Sequence, residues 1–227
     1  MSDPRSSLGG VVADVGKQSF DDLARDLRTI FGDRLTSLVA YGEVDEDGAH
    51  TLALVDQVTF ADLAKCLPLA ARWRRQGLAT PLILTRDEFR RSLDVFPVEY
   101  GAIIASHVVL AGTNPFAGIT VAEADLRRGC EQMAKSHLIH LREAFLETSG
   151  DPDAIGRLLA ASAPSFRTLL TNLDRLEPGA ATRAGISESV LAEVTNAADA
   201  TISEPSALLA RYIAAVERIW RYVDAWR

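Results

Sequence analysis

Residues 35–56, LTSLVAYGEVDEDGAHTLALVD, limit the fold more tightly than any other stretch. Residues 35–41 and 51–55 are apolar and rich in β-branched side chains, with the length and composition of buried strands. Gly42, Gly48 and the acids between them are poor strand formers, so the expectation is two strands joined by a short polar loop.

The flanking segments read as elements packed on that sheet. Ser19 is expected to cap a helix with Asp22 three residues on, Phe20, Leu23, Leu27, Ile30 and Phe31 forming its apolar face and Gly32 ending it. Residues 1–18, with Ser, Gly and Pro around a Val11-Val12 pair, read as a flexible N-terminal tail. Residues 60–76 are helical by pattern, with Leu63, Leu67, Ala70 and Ala71 as buried candidates, Gly77 as the stop, and Pro68 predicting a kink or a late start. The run Arg72, Trp73, Arg74, Arg75 suits the negative end of that helix dipole better than a stacking surface for a nucleotide. Residues 78–85 return to strand character, beginning near Pro81 or lying at an edge, and Thr85 then opens a short helix whose Asp87 and Glu88 suit a first turn. Residues 98–110 read as the last sheet segment, broken around Ser106 and His107, and 112–118 as a turn-rich connector.

From there the hydrophobic period is helical throughout. Residues 122–148 place Leu126, Cys130, Met133, His137, Leu141 and Phe145 on one broad face, with Gly150 as a stop. Asp151 and Pro152 form a cap and first-turn pair for a helix whose stripe, Ile155, Leu158, Leu159, Phe166, Leu169, Leu170 and Leu173, runs through Pro164. Ser187 caps a short helix, and residues 204–226 repeat apolar side chains from Leu208 to Val223 at helical spacing. The fold class is therefore α+β: a small mixed sheet with helices over residues 19–118, and a C-terminal α-helical bundle over 119–227.

A hydrophobic content of 48% supplies a real core for 227 residues, while a formal net charge of −7 argues against general nucleic-acid binding, which needs a basic face. Cys66 and Cys130 form no metal-spaced motif or disulfide framework, no stretch has the roughly 20 apolar residues of a membrane span, and the N-terminus lacks a secretory h-region. A cytoplasmic protein with no membrane association is expected.

A strand ending in Tyr41-Gly42, preceded by a helix and followed by a second strand, resembles the opening of the polymerase-β-like nucleotidyltransferase fold. In that family a Gly-Ser pair follows the first strand, the second carries two acids one residue apart that clamp magnesium, and a later strand adds a third acid. Gly42 matches the glycine, but Glu43 stands where the serine belongs. The acid pair falls on Thr51 and Ala53 or, with the loop aligned differently, on His50 and Leu52; Leu82, Ile83 and Leu84 offer no third acid. A helical bundle after such a domain resembles the family's pairing with HEPN-type bundles, yet His50, His107, His137 and His140 complete no Arg-x4-6-His ribonuclease motif.

The resemblance thus implies a scaffold without catalytic residues, resident metal or cofactor. Gly42, Glu43, Thr51 and Ala53 would line a degenerate cleft in which nucleotide binding is weak or absent, since Glu43 places like charge beside the phosphates. The expected function is a binding or regulatory module that recognises a protein partner or forms a homodimer. The alternative is an active, metal-dependent nucleotidyltransferase using relocated acids, Asp45, Asp47 or Asp56. His137 and His140, with Cys130 and Glu143 on one helix, lack ligands from a second element, so His137 is expected to be packed and hydrogen-bonded in the bundle.

Overall fold

A computed structural model describes residues 15–45, 47–197 and 202–226. The expected tail at residues 1–14 and the acid Glu46 lie outside the described residues, as does the side chain of Glu43. Two compact units divide the chain between Val121 and Ala122.

The first unit opens with helix α1, Lys17–Phe31. It starts two residues before the expected cap: Gly16, at φ 85°, turns the chain in, and the Ser19 hydroxyl donates back to the Val15 carbonyl at 3.3 Å. Lys17 and Gln18, assigned to the tail from sequence, belong to its first turn. Phe20, Leu23, Leu27 and Phe31 are buried as expected. After a single 3-10 turn, strand β1 runs Leu35–Asp45 and strand β2 Gly48–Val55, paired antiparallel. The strands are longer than the sequence suggested. A register shift between Tyr41 and Asp45 forms a bulge around Gly42, whose φ of 70° a side chain would resist, and pairing resumes at Asp45 and Gly48.

Helix α2, Phe60–Arg75, is held at its start by a reciprocal box in which the Thr59 hydroxyl accepts from the Asp62 amide and the Asp62 carboxylate from the Thr59 amide. Asp62 also takes a bidentate ion pair from Arg34, at 2.8 and 2.9 Å. The helix runs on through Pro68 without a late start. Its buried face is Asp62, Cys66 and Trp73, with Leu69 and Ala70 half-buried; Leu63, Leu67 and Ala71 face outward, a correction taken up below. Strand β3, Leu82–Thr85, follows Pro81 and pairs parallel to β2 at one edge of the sheet. Helix α3, Arg86–Arg91, is capped by Thr85 and Glu88.

Residues 98–105 depart from the expected strand. They form helix α4, Pro97–Ala105, because Pro97 fits the first turn, where its missing N–H costs nothing, and Glu99 favours the positive end of the dipole. Only after Ser106 does strand β4, His107–Gly112, complete the sheet in the order β3-β2-β1-β4, antiparallel to β1. The sheet is therefore mixed. One face packs Leu38, Ala40, Ala49, Ala53 and Val55 beneath α1 and α2. The other packs Val39, Leu52 and Leu54 against Phe89 of α3, Tyr100 and Ile103 of α4, and Phe116.

The second unit is helical among its described residues. Its long elements are α5, Glu123–Glu147, α6, Pro152–Leu176, and α9, Pro205–Asp224, with the short α7, Ala180–Arg183, and α8, Glu188–Thr195, between the last two. Asp151 caps α6 by accepting from the Ala154 amide at 3.0 Å, and α6 continues through Pro164 as one helix. On α5 the buried line is Cys130, Ala134, Leu138 and Leu141, while Phe145 is exposed and Leu126 and Met133 are half-buried. No helix among the described residues is long and apolar enough to cross a membrane.

Candidate functional site

The β1–β2 hairpin tip is where the family resemblance would put a phosphate site. Gly42 sits in the bulge with nothing within 4 Å of the position a Cβ would take, so its positive φ, and not crowding, accounts for the glycine. Beyond it the Asp45 carboxylate accepts the Asp47 amide at 2.9 Å and pairs with His50 Nε2 at 2.7 Å. The hydrogen bond from His50 holds the Asp45 carboxyl below its ordinary range. Asp47 is exposed in the turn.

Thr51 and Ala53 face a closed layer. Successive side chains on a strand alternate faces, and Ala49, Thr51 and Ala53 share the one closed over by α1 and α2. Thr51 is 1% exposed, and its hydroxyl has no hydrogen-bond partner among the described residues. The other alignment of the acid pair, His50 and Leu52, lies on the opposite face. There Leu52 is buried in the layer under α3 and α4, and His50 is half-buried at its margin.

Asp56 lies past the far end of β2 and its amide donates to the Arg34 carbonyl at 2.9 Å. Eight strand residues at about 3.3 Å each separate it from the tip by about 25 Å. Paired metals need ligands around ions roughly 4 Å apart, so Asp56 cannot share a centre with Asp45 or Asp47. Among the described residues no group of three or more His, Cys, Asp or Glu is arranged to hold a metal ion.

The fold also assembles a row that spacing along the chain does not announce. Tyr41 of β1 is paired with His50 of β2 on one side and His107 of β4 on the other, so an imidazole, a phenol and a second imidazole cross the sheet side by side. The Tyr41 and His50 rings stand 5.9 Å apart. Burial, and then the neighbouring Tyr100 and Asp45, raise the Tyr41 phenol. His107 Nδ1 lies 3.1 Å from the Ile103 carbonyl, which fixes the proton on Nδ1 in the neutral ring and leaves Nε2 as an acceptor. Only the strand pairing brings together residues 41, 50 and 107.

Arg72 and Trp73, read from sequence beside a dipole explanation, have a structural task. Both donate to Asp26 of α1, Trp73 through Nε1 at 2.8 Å, and the indole is buried. The buried indole therefore offers no stacking surface. No known protein family matches this chain, and no characterised protein does.

Proposed function

We propose that this chain is a nucleotidyltransferase-like scaffold that works as a non-catalytic binding or regulatory module. The observation behind the proposal is the placement of Thr51 and Ala53, which turn into the closed layer under α1 and α2. A carboxylate at either position would be sealed from any nucleotide. The relocated-acid alternative loses support from the separation of Asp56 from Asp45 and Asp47, because phosphoryl transfer works by placing metal and phosphate together. Helix α1, the β1–β2 hairpin, α2 and the parallel β3 follow in an order compatible with the family's opening. That likeness concerns topology, and function depends on the site.

Incubation with labelled ATP or GTP and Mg²⁺ or Mn²⁺ tests the proposal. No nucleotide should be transferred to protein, RNA or small-molecule acceptors, and calorimetric titration with Mg-ATP should give no tight binding. Transfer that disappears in Asp45→Ala, Asp47→Ala or Asp56→Ala would overturn it.

A further inference from the structure

The chain ahead of α1 enters the fold beside the end of α2. These two helices pack antiparallel, Asp22 accepting from Gln76 at 3.1 Å and Asp26 from Trp73 at 2.8 Å. Val15 therefore stands next to Gly77, just past the last residue of α2, where a Cβ on that glycine would lie 3.6 Å from it. The outward face of α2 begins close by. Phe60 is 84% exposed and Leu67 72%, with Ala64 and Ala71 exposed beside them, and at 100° per residue these four fall in one narrow sector. Their ridge, about 17 Å long on a helix about 10 Å wide, covers a small part of the roughly 800 Å² per partner that a standard interface between proteins needs. A segment of the same chain faces no such threshold, because its tether replaces the cost of association with an effective concentration in the millimolar range.

We propose that residues 1–14 dock along this ridge, with Val11 and Val12 against Ala71 and Leu8 against Leu67 and Ala64. Reach and spacing agree. From Gly77 back to Ala71 the helix rises about 9 Å, to Leu67 about 15 Å and to Phe60 about 26 Å. Fourteen residues at about 3.3 Å each span about 46 Å, which covers the path around α2 and along the whole ridge. Counted from Val15 on the same scale, Val12 and Val11 lie about 10–13 Å away and Leu8 about 23 Å, so the apolar side chains of the segment match the apolar steps of the helix. Charge agrees at the point of entry: Asp14, next to Val15, comes beside Arg74 and Arg75, exposed in the last turn of α2. The proposal does not depend on the nucleotidyltransferase likeness, and its test involves no nucleotide.

In the full chain carrying Leu8→Cys and Leu67→Cys, mild oxidation should close a disulfide within one chain of 24.6 kDa, at least about tenfold faster than in Leu8→Cys with Arg25→Cys. Arg25 is exposed on α1 about as far from Val15 as Leu67 is from Gly77, so a tether that merely collides with its surroundings would give the two pairs equal rates. Leu8→Asp with Val12→Asp should uncover the ridge: Nile red emission should rise several-fold over the wild type, and adding Leu67→Arg should cancel the rise. Equal cross-linking rates would overturn the proposal. So would wild-type emission as high as that of the double variant, which would leave the ridge to another protein. A wild-type mass that rises toward twice 24.6 kDa with concentration, and is held down by Leu67→Arg, would assign the ridge to a second copy and overturn it as well.

Discussion

Thr51 shows how one side chain separates a scaffold from a site. Its hydroxyl is buried between Ala49 and Ala53 without a partner among the described residues, and an unmet polar group of this kind costs about 1–3 kcal/mol. Thr51→Val keeps the shape and removes the polar atom, so the urea midpoint should rise, by about 1 kcal/mol in stability. Thr51→Asp should lower stability by at least about 3 kcal/mol, because an unpaired carboxylate there must be desolvated or protonated. An unchanged midpoint for Thr51→Asp would mean that position 51 opens onto solvent, and the argument for a closed scaffold would fail. The sequence TLALV could not decide this: both faces of β2 are apolar, so alternation separates the two faces without revealing which helices cover each.

Among the elements, those whose signals are local were legible. The stop at Gly32, the Thr85 cap, the Asp151-Pro152 start and the edge position of the strand after Pro81 all follow from backbone chemistry within a few residues. The α2 face was misjudged because its outward side is as apolar as its inward side, so periodicity alone could not say which was the core. Residues 98–110 misled for a related reason: a short run apolar on every side fits a strand or a buried helix, and Pro97 decided for the helix. The seam of α5, α6 and α9 was readable in His137, the one polar group in its stripe. Its Nε2 lies 2.5 Å from the Tyr212 hydroxyl, and its ring stacks near Phe166. Burial, then the nearby His140, hold its pKa below the usual 6.5. Unfolding exposes the imidazole and restores its ordinary affinity for protons, so the unfolded chain binds more of them as pH falls below about 6.5. The bundle's thermal midpoint should therefore hold above that pH and drop below it, until the folded ring protonates as well. His137→Gln should flatten the profile between pH 7 and 5, and an unaltered profile would place the titrating group elsewhere.

At the scale of the molecule, each unit has its own buried side chains, and this makes the last helix dispensable to one and essential to the other. Every fully buried residue in the two core layers of the sheet lies between Phe20 and Phe116. In the second unit α9 buries Leu208, Leu209, Tyr212, Val216, Ile219 and Val223. At about 1.5–3 kcal/mol for each such side chain, their loss matches or exceeds the roughly 5–15 kcal/mol by which whole domains are stable, even as an upper estimate. A chain ended after Ser203 should accordingly keep a folded sheet unit and lose the bundle. Trp220 and Trp226 go with the deleted segment, and Trp73, the remaining tryptophan, is buried beside Asp26. Its emission should stay blue-shifted and change in one cooperative urea transition, while the α5 and α6 amides exchange with solvent at the rate of an unfolded chain. Red-shifted emission from Trp73 in the truncated protein would show that the sheet unit depends on the bundle, and protected α5 amides would show that α9 does not hold it together.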